Sequence, residues 1–248
     1  MAGSASQAPR CAPKTLCSVL FLLCSAGSWA QEAGVLTHLS GTIVATKVDG
    51  SIRLLSVRSQ VIDGERLATQ NNTYARIKFK DNSEIVMRPN SQLFVGKVNY
   101  EPEAKDSDSF SVNLLKGGMR MVTGLIGKRN IERIKVDTPT ATVGIRGTHF
   151  GLLMCQADCG NIQTSSGVPL QNGLHVDVAN GIIQVSNPAG AQVVSPGQFG
   201  FVPSIQTPPT LVPPGQGTRV TMPTTISQNN SIGRTVGVNG ASDECVVR

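Results

Sequence analysis

The clearest structural signal in the sequence is the stretch Ala75-Arg76-Ile77-Lys78-Phe79-Lys80, in which small or apolar residues alternate with cations. Successive side chains of a β-strand point to opposite faces, so a period of two buries one face and exposes the other. Similar alternation recurs at residues 110–114 and 174–178. The stretch therefore predicts a strand with Ala75, Ile77 and Phe79 facing inward, in a chain built from such strands.

Turn-forming residues separate these strand patterns, as at Asp81-Asn82-Ser83, Lys116-Gly117-Gly118, Asn180-Gly181 and Ser195-Pro196-Gly197. Short strands with turns every ~8–12 residues are typical of all-β sandwiches, barrels and solenoids. No window between residues 31 and 202 carries a sustained apolar stripe of helical period. We therefore predict an all-β fold with little helix.

The N-terminus predicts export. Arg10 and Lys14 precede an apolar run from Leu16 to Cys24, and small residues follow as far as Ala30. This order is typical of a secretory signal peptide, and the run is too short to cross a bilayer as a helix. We expect cleavage near Ala30, a periplasmic or secreted mature chain, and no transmembrane segment within it.

Composition divides the chain into three parts. The signal peptide accounts for residues 1–30, and residues 31–202 carry the strand patterns of the predicted β-domain. Residues 203–248 contain six prolines, many Thr, Gln, Asn and Gly residues, and no aromatic residue. Because such a composition buries little apolar surface, we predict a flexible Pro/Thr-rich C-terminal extension.

Charge and histidine content point away from several functions. Loss of Arg10 and Lys14 with the signal peptide lowers the formal net charge from +6 to +4, so we expect no nucleic-acid partner. The histidines, His38, His149 and His175, are isolated within strand patterns. That placement favours hydrogen-bonded or surface imidazoles over catalysis or metal binding.

Three cysteines follow residue 30, namely Cys155, Cys159 and Cys245. In an oxidising compartment the preferred pairing is a short loop closed by Cys155 and Cys159, with Cys245 free or paired between chains. Pairing of Cys245 with either of the other two stays open. Zinc is the alternative for Cys155 and Cys159, but no histidine is near in sequence and a fourth ligand is hard to find. We expect no metal and no other cofactor.

Residues 138–150, Thr-Pro-Thr-Ala-Thr-Val-Gly-Ile-Arg-Gly-Thr-His-Phe, are dense in glycine and threonine. Gly144 and Gly147 flank Ile145 and Arg146 in a way that suits a tight connection between strands. The segment offers no nucleophile with a base and an orienting group, and no carboxylate pair. We interpret it as structural and predict that the chain is not an enzyme.

The same segment resembles the hallmark of the FecR-domain family, Thr-Pro-x-Ala-x-x-Gly-Ile-Arg-Gly-Thr-x-Phe. Residues 39–44, 63–69, 75–85 and 115–118 follow in that family's order, so the resemblance covers about residues 34–154 well and 174–202 more loosely. The structural motif positions that carry it are Thr138, Pro139, Gly144, Arg146, Gly147, Thr148 and Phe150.

This resemblance implies a periplasmic, solenoid-like or roll-like β-domain, which in iron-transport regulators relays a signal from an outer-membrane transporter to a sigma factor. Those regulators carry a cytoplasmic anti-sigma segment and a transmembrane helix ahead of the periplasmic part, whereas a signal peptide is predicted here. We therefore expect a stand-alone exported FecR-domain module for binding, scaffolding or envelope signalling. Its partner would be an envelope protein of unknown identity, bound through loops or a free sheet edge.

Basic residues support a second hypothesis, a structural protein that binds an anionic cell-wall or surface glycan. Between residues 116 and 146 only Glu132 and Asp137 are acidic, and a basic face attracts anionic polymers. The alternative is a solvated face, since no aromatic residues interleave with the cations. The cations are Lys116, Arg120, Lys128, Arg129, Arg133, Lys135 and Arg146, of which Lys128, Arg129, Arg133 and Lys135 are the candidate anion-binding residues.

Overall fold

The computed structural model describes residues 1, 3 and 31–227. The rest of the predicted signal peptide, residues 228–248 and with them Cys245 lie outside the described residues. The strands are β1 Glu32–Ser40, β2 Ile43–Thr46, β3 Ile52–Leu55, β4 Gln60–Ile62, β5 Arg66–Thr69, β6 Tyr74–Phe79, β7 Glu84–Met87, β8 Gln92–Asn99, β9 Ser109–Val122, β10 Ile134–Asp137, β11 Thr142–Cys155, β12 Gly173–Asn187, β13 Gly190–Val194, β14 Phe199–Val202 and β15 Thr210–Val212. The helical elements are α1 Leu125–Arg129, α2 Thr224–Ser227 and 3-10 turns at Lys105–Ser107 and Ile131–Arg133.

All 15 strands of the described chain belong to one mixed sheet. Neighbouring strands are antiparallel, except that β9 and β10 are parallel. The longest helix in the described ranges, α1, has five residues. The all-β prediction is confirmed, whereas the solenoid-like or roll-like arrangement stays a prediction.

Strand β9 divides the sheet into two branches. Its first half pairs with β8 and β10, and its second half pairs with β7 and β11. The branches come together again where Gly64 N donates to Val95 O at 2.8 Å and Val98 N donates to Asp63 Oδ1 at 3.1 Å. One apolar core fills the space between them, with Phe79 and Phe110 packed edge to face at 5.0 Å.

In strand β6 the burial of side chains follows the sequence alternation at every position but one. Ala75, Ile77 and Phe79 are buried in the core as predicted, and Lys78 is exposed. Arg76 differs from the pattern, because it lies on the outer face yet is only 3% exposed. Its burial shows that part of the outer face of the sheet is covered.

The cover comes from the segment predicted to be a flexible extension. β15 pairs with β14, and Val220 and Ile226 are buried against the outer face of the sheet. Residues 203–227 therefore differ from the expectation. Composition does not reveal this, because the segment is held mainly through its backbone atoms. One example is the hydrogen bond from Arg120 Nη1 to Val220 O at 2.8 Å.

No helix in the described part of the chain has the length and apolar character needed to cross a membrane.

Candidate functional site

The hallmark segment 138–150 forms a turn and then enters β11. Thr138 makes the turn: its N–H donates to Ala141 O at 2.9 Å and its Oγ1 accepts from Ala141 N at 3.1 Å. Such a side chain hydrogen-bonded to the following backbone is what a tight turn between strands requires. Pro139 is exposed at the tip of the turn, and Gly144 is exposed on β11.

A bulge in β11 accounts for the second glycine of the hallmark. Gly147 has a φ of 57°, a left-handed conformation that disfavours side chains, and the register with β12 shifts between Arg146 and His149. Thr148 N donates to Thr123 Oγ1 at 3.0 Å, and Phe150 is buried in the core. Arg146 is exposed. The hallmark residues thus build a turn, a bulge and a core contact.

Arg129 is engaged inside the molecule, which differs from the expectation of an anion-binding residue. It donates to both carboxylate oxygens of Asp108, whose side chain is buried, and to the carbonyls of Pro102 and Glu101 at 2.9 and 2.6 Å. Its guanidinium also lies 4.5 Å from the centre of the Tyr100 ring. These contacts tie α1 to the loop before β9.

The other basic residues do not form one free face. Arg120 is buried in an ion pair with Asp177, and Lys116 pairs with Asp158 at 3.3 Å. Lys135 pairs with Asp137 at 3.1 Å. Exposed cations remain at Lys128, Arg133 and Arg146.

The structure joins Cys155 and Cys159 by a disulfide. Both residues are buried in a small apolar cluster with Leu153, Leu170 and Val220 on the outer face of the sheet. The disulfide therefore lies where the loop between β11 and β12 meets the C-terminal segment.

A cavity of about 320 Å³ lies between that loop and β14–β15. His175 lines it, with its ring 4.7 Å from the ring of Phe201 and its Nε2 at 2.9 Å from Gln171 O. Burial lowers the pKa of His175. The imidazole is therefore neutral at pH 7 and hydrogen-bonded to the backbone.

His149 belongs to a buried polar cluster with Arg120 and Asp177. Arg120 Nε donates to His149 Nε2 at 2.8 Å, and Arg120 Nη1 lies 3.0 Å from Asp177 Oδ2. Burial, and to a smaller extent the Arg120 charge, lowers the pKa of His149 to about 4. A neutral imidazole that accepts from a guanidinium is poorly suited to take a proton from a substrate. In residues 31–227, no group of three His, Cys, Asp or Glu side chains is placed to hold a metal ion.

One exposed surface is an apolar sheet edge. β3 pairs with β2 alone among the described strands. On β3, Ile52 is 69% exposed and Leu54 is 73% exposed, and Val48 and Val57 are exposed beside it. We call Ile52 and Leu54, which lie on the same face of β3, the edge surface. Exposed apolar residues that cluster on one surface mark interaction sites more often than scattered ones do.

One edge of β3 also has backbone groups that no other described strand pairs with. Lys47 N donates to Ser51 O at 2.9 Å, so these two residues form a hydrogen-bonded pair. Hydrogen-bonded and non-hydrogen-bonded pairs alternate along an antiparallel ladder, so Ile52 and Leu54 stand in non-hydrogen-bonded pairs with β2. The N–H and C=O groups of Ile52 and Leu54 therefore point away from β2, where no other described strand pairs with β3. Such an edge is a template for an added strand.

Comparison with protein families assigns the domain. Residues 65–168 match the family model described as FecR protein. The chain carries a FecR domain. The matched FecR range contains the whole 138–150 hallmark and the Cys155–Cys159 disulfide. FecR proteins are an envelope-associated, regulatory family, which supports an envelope signalling module.

Similarity to solved structures is weaker. Two crystal structures of a candidate anti-sigma factor from Parabacteroides distasonis ATCC 8503 align with TM-scores of 0.43 and identities of 14% and 13%, over 61% of this chain and 60% of that chain. A structure described as a cell surface anchoring domain aligns with a TM-score of 0.25 and 24% identity, over 25% of this chain and 82% of that chain. The chain thus spans about 60% of the length of the candidate anti-sigma factor. No curated protein matches it.

The edge surface escaped the sequence analysis. Ile52 and Leu54 alternate with Arg53 in a short strand, which is a detectable signal. The alternation does not show which face of the strand is covered. In the structure Arg53 lies on the inner side, where it donates to the buried Glu65 carboxylate at 2.8 Å. The apolar residues are therefore the exposed ones, against the usual assignment.

Proposed function

We propose that the chain is an exported, non-enzymatic FecR-domain module that binds another envelope protein through the edge surface. The observation that supports it is the combination, on β3, of outward apolar side chains and outward backbone groups. A partner strand laid against β3 would gain backbone hydrogen bonds and cover Ile52 and Leu54. The regulatory character of the FecR family supports a signalling role for this contact.

The glycan alternative receives less support. Arg120 and Arg129 are held by buried carboxylates, and Lys116 and Lys135 have acidic partners. Ion pairing leaves less positive charge for a polymer.

Site-specific photo-cross-linking in intact cells tests the proposal. A photoreactive amino acid at Leu54 should capture one defined envelope protein. The same amino acid at Val193, which is also exposed and apolar but lies on β13, should not. Equal capture from both positions, or none from Leu54, would refute binding at this edge.

A backbone variant separates strand addition from simple apolar contact. Leu54→Pro removes an N–H that points away from β2, so the β2–β3 ladder keeps its bonds, and proline is tolerated at such edge positions. Strand addition predicts that Leu54→Pro, still folded by circular dichroism, loses the partner, whereas Leu54→Ala, which also lacks the leucine side chain but keeps the N–H, retains more of it. Retained capture, with the photoreactive amino acid then at Ile52, would rule out strand addition.

A further inference from the structure

The outer face of the sheet carries a row of residues that crosses five strands. The strand registers align Asp177 of β12, Gly151 of β11, Arg120 of β9, Val86 of β7 and Arg76 of β6. We call these five residues the transverse row. Three of the five carry a charge, and all three charged side chains are buried.

Residues 217–226, which we call the strap, run along the transverse row and not along any strand. Arg120 Nη1 donates to Val220 O at 2.8 Å, and Val220 N donates to Asp177 Oδ1 at 3.0 Å. Arg76 Nη1 donates to Ile226 O at 3.1 Å. All three bonds use backbone atoms of the strap. They therefore set its path but depend little on its sequence.

Two strap side chains make the apolar contacts. Val220 packs in the cluster that contains Leu153 and the disulfide, and Ile226 packs against Val86. Met222, which is partly buried, touches both clusters. The strap residues Thr221, Thr224 and Thr225 are exposed. The face thus accepts a segment without strand structure that ends in α2 and places apolar residues at two fixed positions.

The charged groups beneath the strap also bind each other. Arg120 donates to both His149 and Asp177, and neither of these bonds uses an atom of the strap. Hydrogen-bonded charges on a sheet face can be hydrated, whereas an apolar core cannot.

We propose that the transverse row is a peptide-binding groove that the strap occupies in cis, and that a segment of a partner protein with the same backbone path displaces the strap. The partner segment would carry apolar residues at the positions of Val220 and Ile226. The residues between them would be uncharged, as they are in the strap, because the groove binds backbone atoms there. This groove is distinct from the edge surface, and the inference does not rest on the proposed function.

Tethering sets how tightly such a partner must bind. A segment linked to its site by a short connection acts at an effective concentration on the order of millimolar. A free peptide with the strap sequence should therefore compete poorly with the strap itself. A protein whose own strap is weakened should bind the same peptide readily.

Gly151 is a point of close approach between the sheet and the strap. A Cβ at this position would lie 2.6 Å from Val220 Cβ and would also collide with the Asp177 carboxylate. Gly144 lies on the same strand and offers a matched control, because a Cβ there would meet nothing closer than Gln184 O at 3.7 Å. Gly151→Ala should block the groove, and Gly144→Ala should not.

The test uses the full chain and a fluorescent peptide with the sequence of residues 217–227. Fluorescence anisotropy compares the wild type with Val220→Asp, in which a charged side chain cannot enter the apolar cluster and the strap is released. We expect Val220→Asp to bind the peptide at least about tenfold more tightly than the wild type does. Equal binding by the two proteins, or none by a folded Val220→Asp protein, would overturn the proposal.

Second variants define the site of binding. Adding Gly151→Ala to Val220→Asp should abolish binding, and adding Gly144→Ala should leave it unchanged. Loss of binding in both double variants, or in neither, would place the peptide elsewhere and overturn the proposal. Circular dichroism shows whether each variant is folded.

If Val220→Asp does not fold, hydrogen exchange of the wild-type protein tests the proposal instead. A replaceable strap predicts that the Val220 amide exchanges through local opening, well before the core amides of β9 and β11. Exchange of Val220 only with global unfolding would overturn the proposal.

Discussion

The edge surface and the transverse row differ in polarity and in solvent exposure. Ile52 and Leu54 are apolar and mostly exposed, whereas Arg120 and Asp177 are charged and only 7% and 5% exposed. Burial of a charge is costly unless it is paired, and exposure of a few apolar residues costs little. Polarity alone therefore does not determine what is buried here. The chain's own C-terminal segment, which covers Arg120 and Asp177, therefore determines which part of the outer surface stays exposed.

Breaking the buried ion pair should have the largest effect. Arg120→Ala leaves the Asp177 carboxylate buried without its cation, which should lower the free energy of unfolding by about 3–5 kcal/mol. Urea unfolding measures the change. Lys135→Ala, which removes an exposed partner of Asp137, should cost less than ~1 kcal/mol. Similar losses for the two variants would mean that the Arg120 pair is open to water.

Acidification should lower the free energy of unfolding through His149, which lies on the covered face. Burial and the Arg120 charge lower the pKa of His149 from 6.5 to about 4, so the folded protein holds His149 neutral. The unfolded chain binds that proton below pH 6.5. Stability should therefore fall as pH drops from 6.5 toward 4, by at most ~1.4 kcal/mol per pH unit from this residue.

His149→Gln isolates this contribution, because glutamine can still accept a hydrogen bond from Arg120 but does not titrate. Its unfolding free energy, measured in urea between pH 7 and 5, should fall less steeply than that of the wild type. His175 keeps part of the slope, since burial lowers its pKa as well. An unchanged slope in His149→Gln would contradict the prediction.

Removing the disulfide should have a smaller effect. Cys155 and Cys159 are four residues apart, and cross-linking so short a loop is expected to contribute ~2 kcal/mol. The double variant Cys155→Ala/Cys159→Ala should lose about that amount in urea unfolding. Loosening of the cluster with Val220 should also speed hydrogen exchange of the strap relative to β3. Unchanged exchange of the strap would show that the disulfide does not support it.

Changes at the edge surface should have the smallest effect on stability. Leu54→Lys places a charge where the side chain is already exposed, so the free energy of unfolding should change by less than ~0.5 kcal/mol. Leu55→Lys is the matched control on the same strand, because Leu55 is 5% exposed in the core. It should destabilise by several-fold more. Comparable losses in the two variants would mean that Leu54 is covered in solution.

The strand patterns explain why the core was predictable. Alternation at Ala75, Ile77 and Phe79 identifies one buried face, because the period of a strand is local and independent of its neighbours. The Thr138 turn and the Gly147 bulge follow from local chemistry too, and the hallmark identified them as structural positions. The Cys155–Cys159 pairing was accessible for the same reason, since the two residues are close in sequence.

Long-range contacts explain what was missed. Arg120 was grouped with surface cations because Asp177 and Val220, its partners, are distant in sequence. Residues 203–227 were expected to be flexible because a composition poor in aromatic residues does not show that backbone groups can be bound by buried side chains. Ile52 and Leu54 were not singled out because alternation cannot tell which face is covered.

The amino-acid pattern alone determines the strands, the turns and the FecR hallmark, since each depends on residues near one another in the chain. Only the tertiary structure decides which face of each strand is covered, because cover depends on where distant segments return to the sheet. The apolar edge of β3 and the charged row under the strap both follow from that choice. These two surfaces carry the functional proposals.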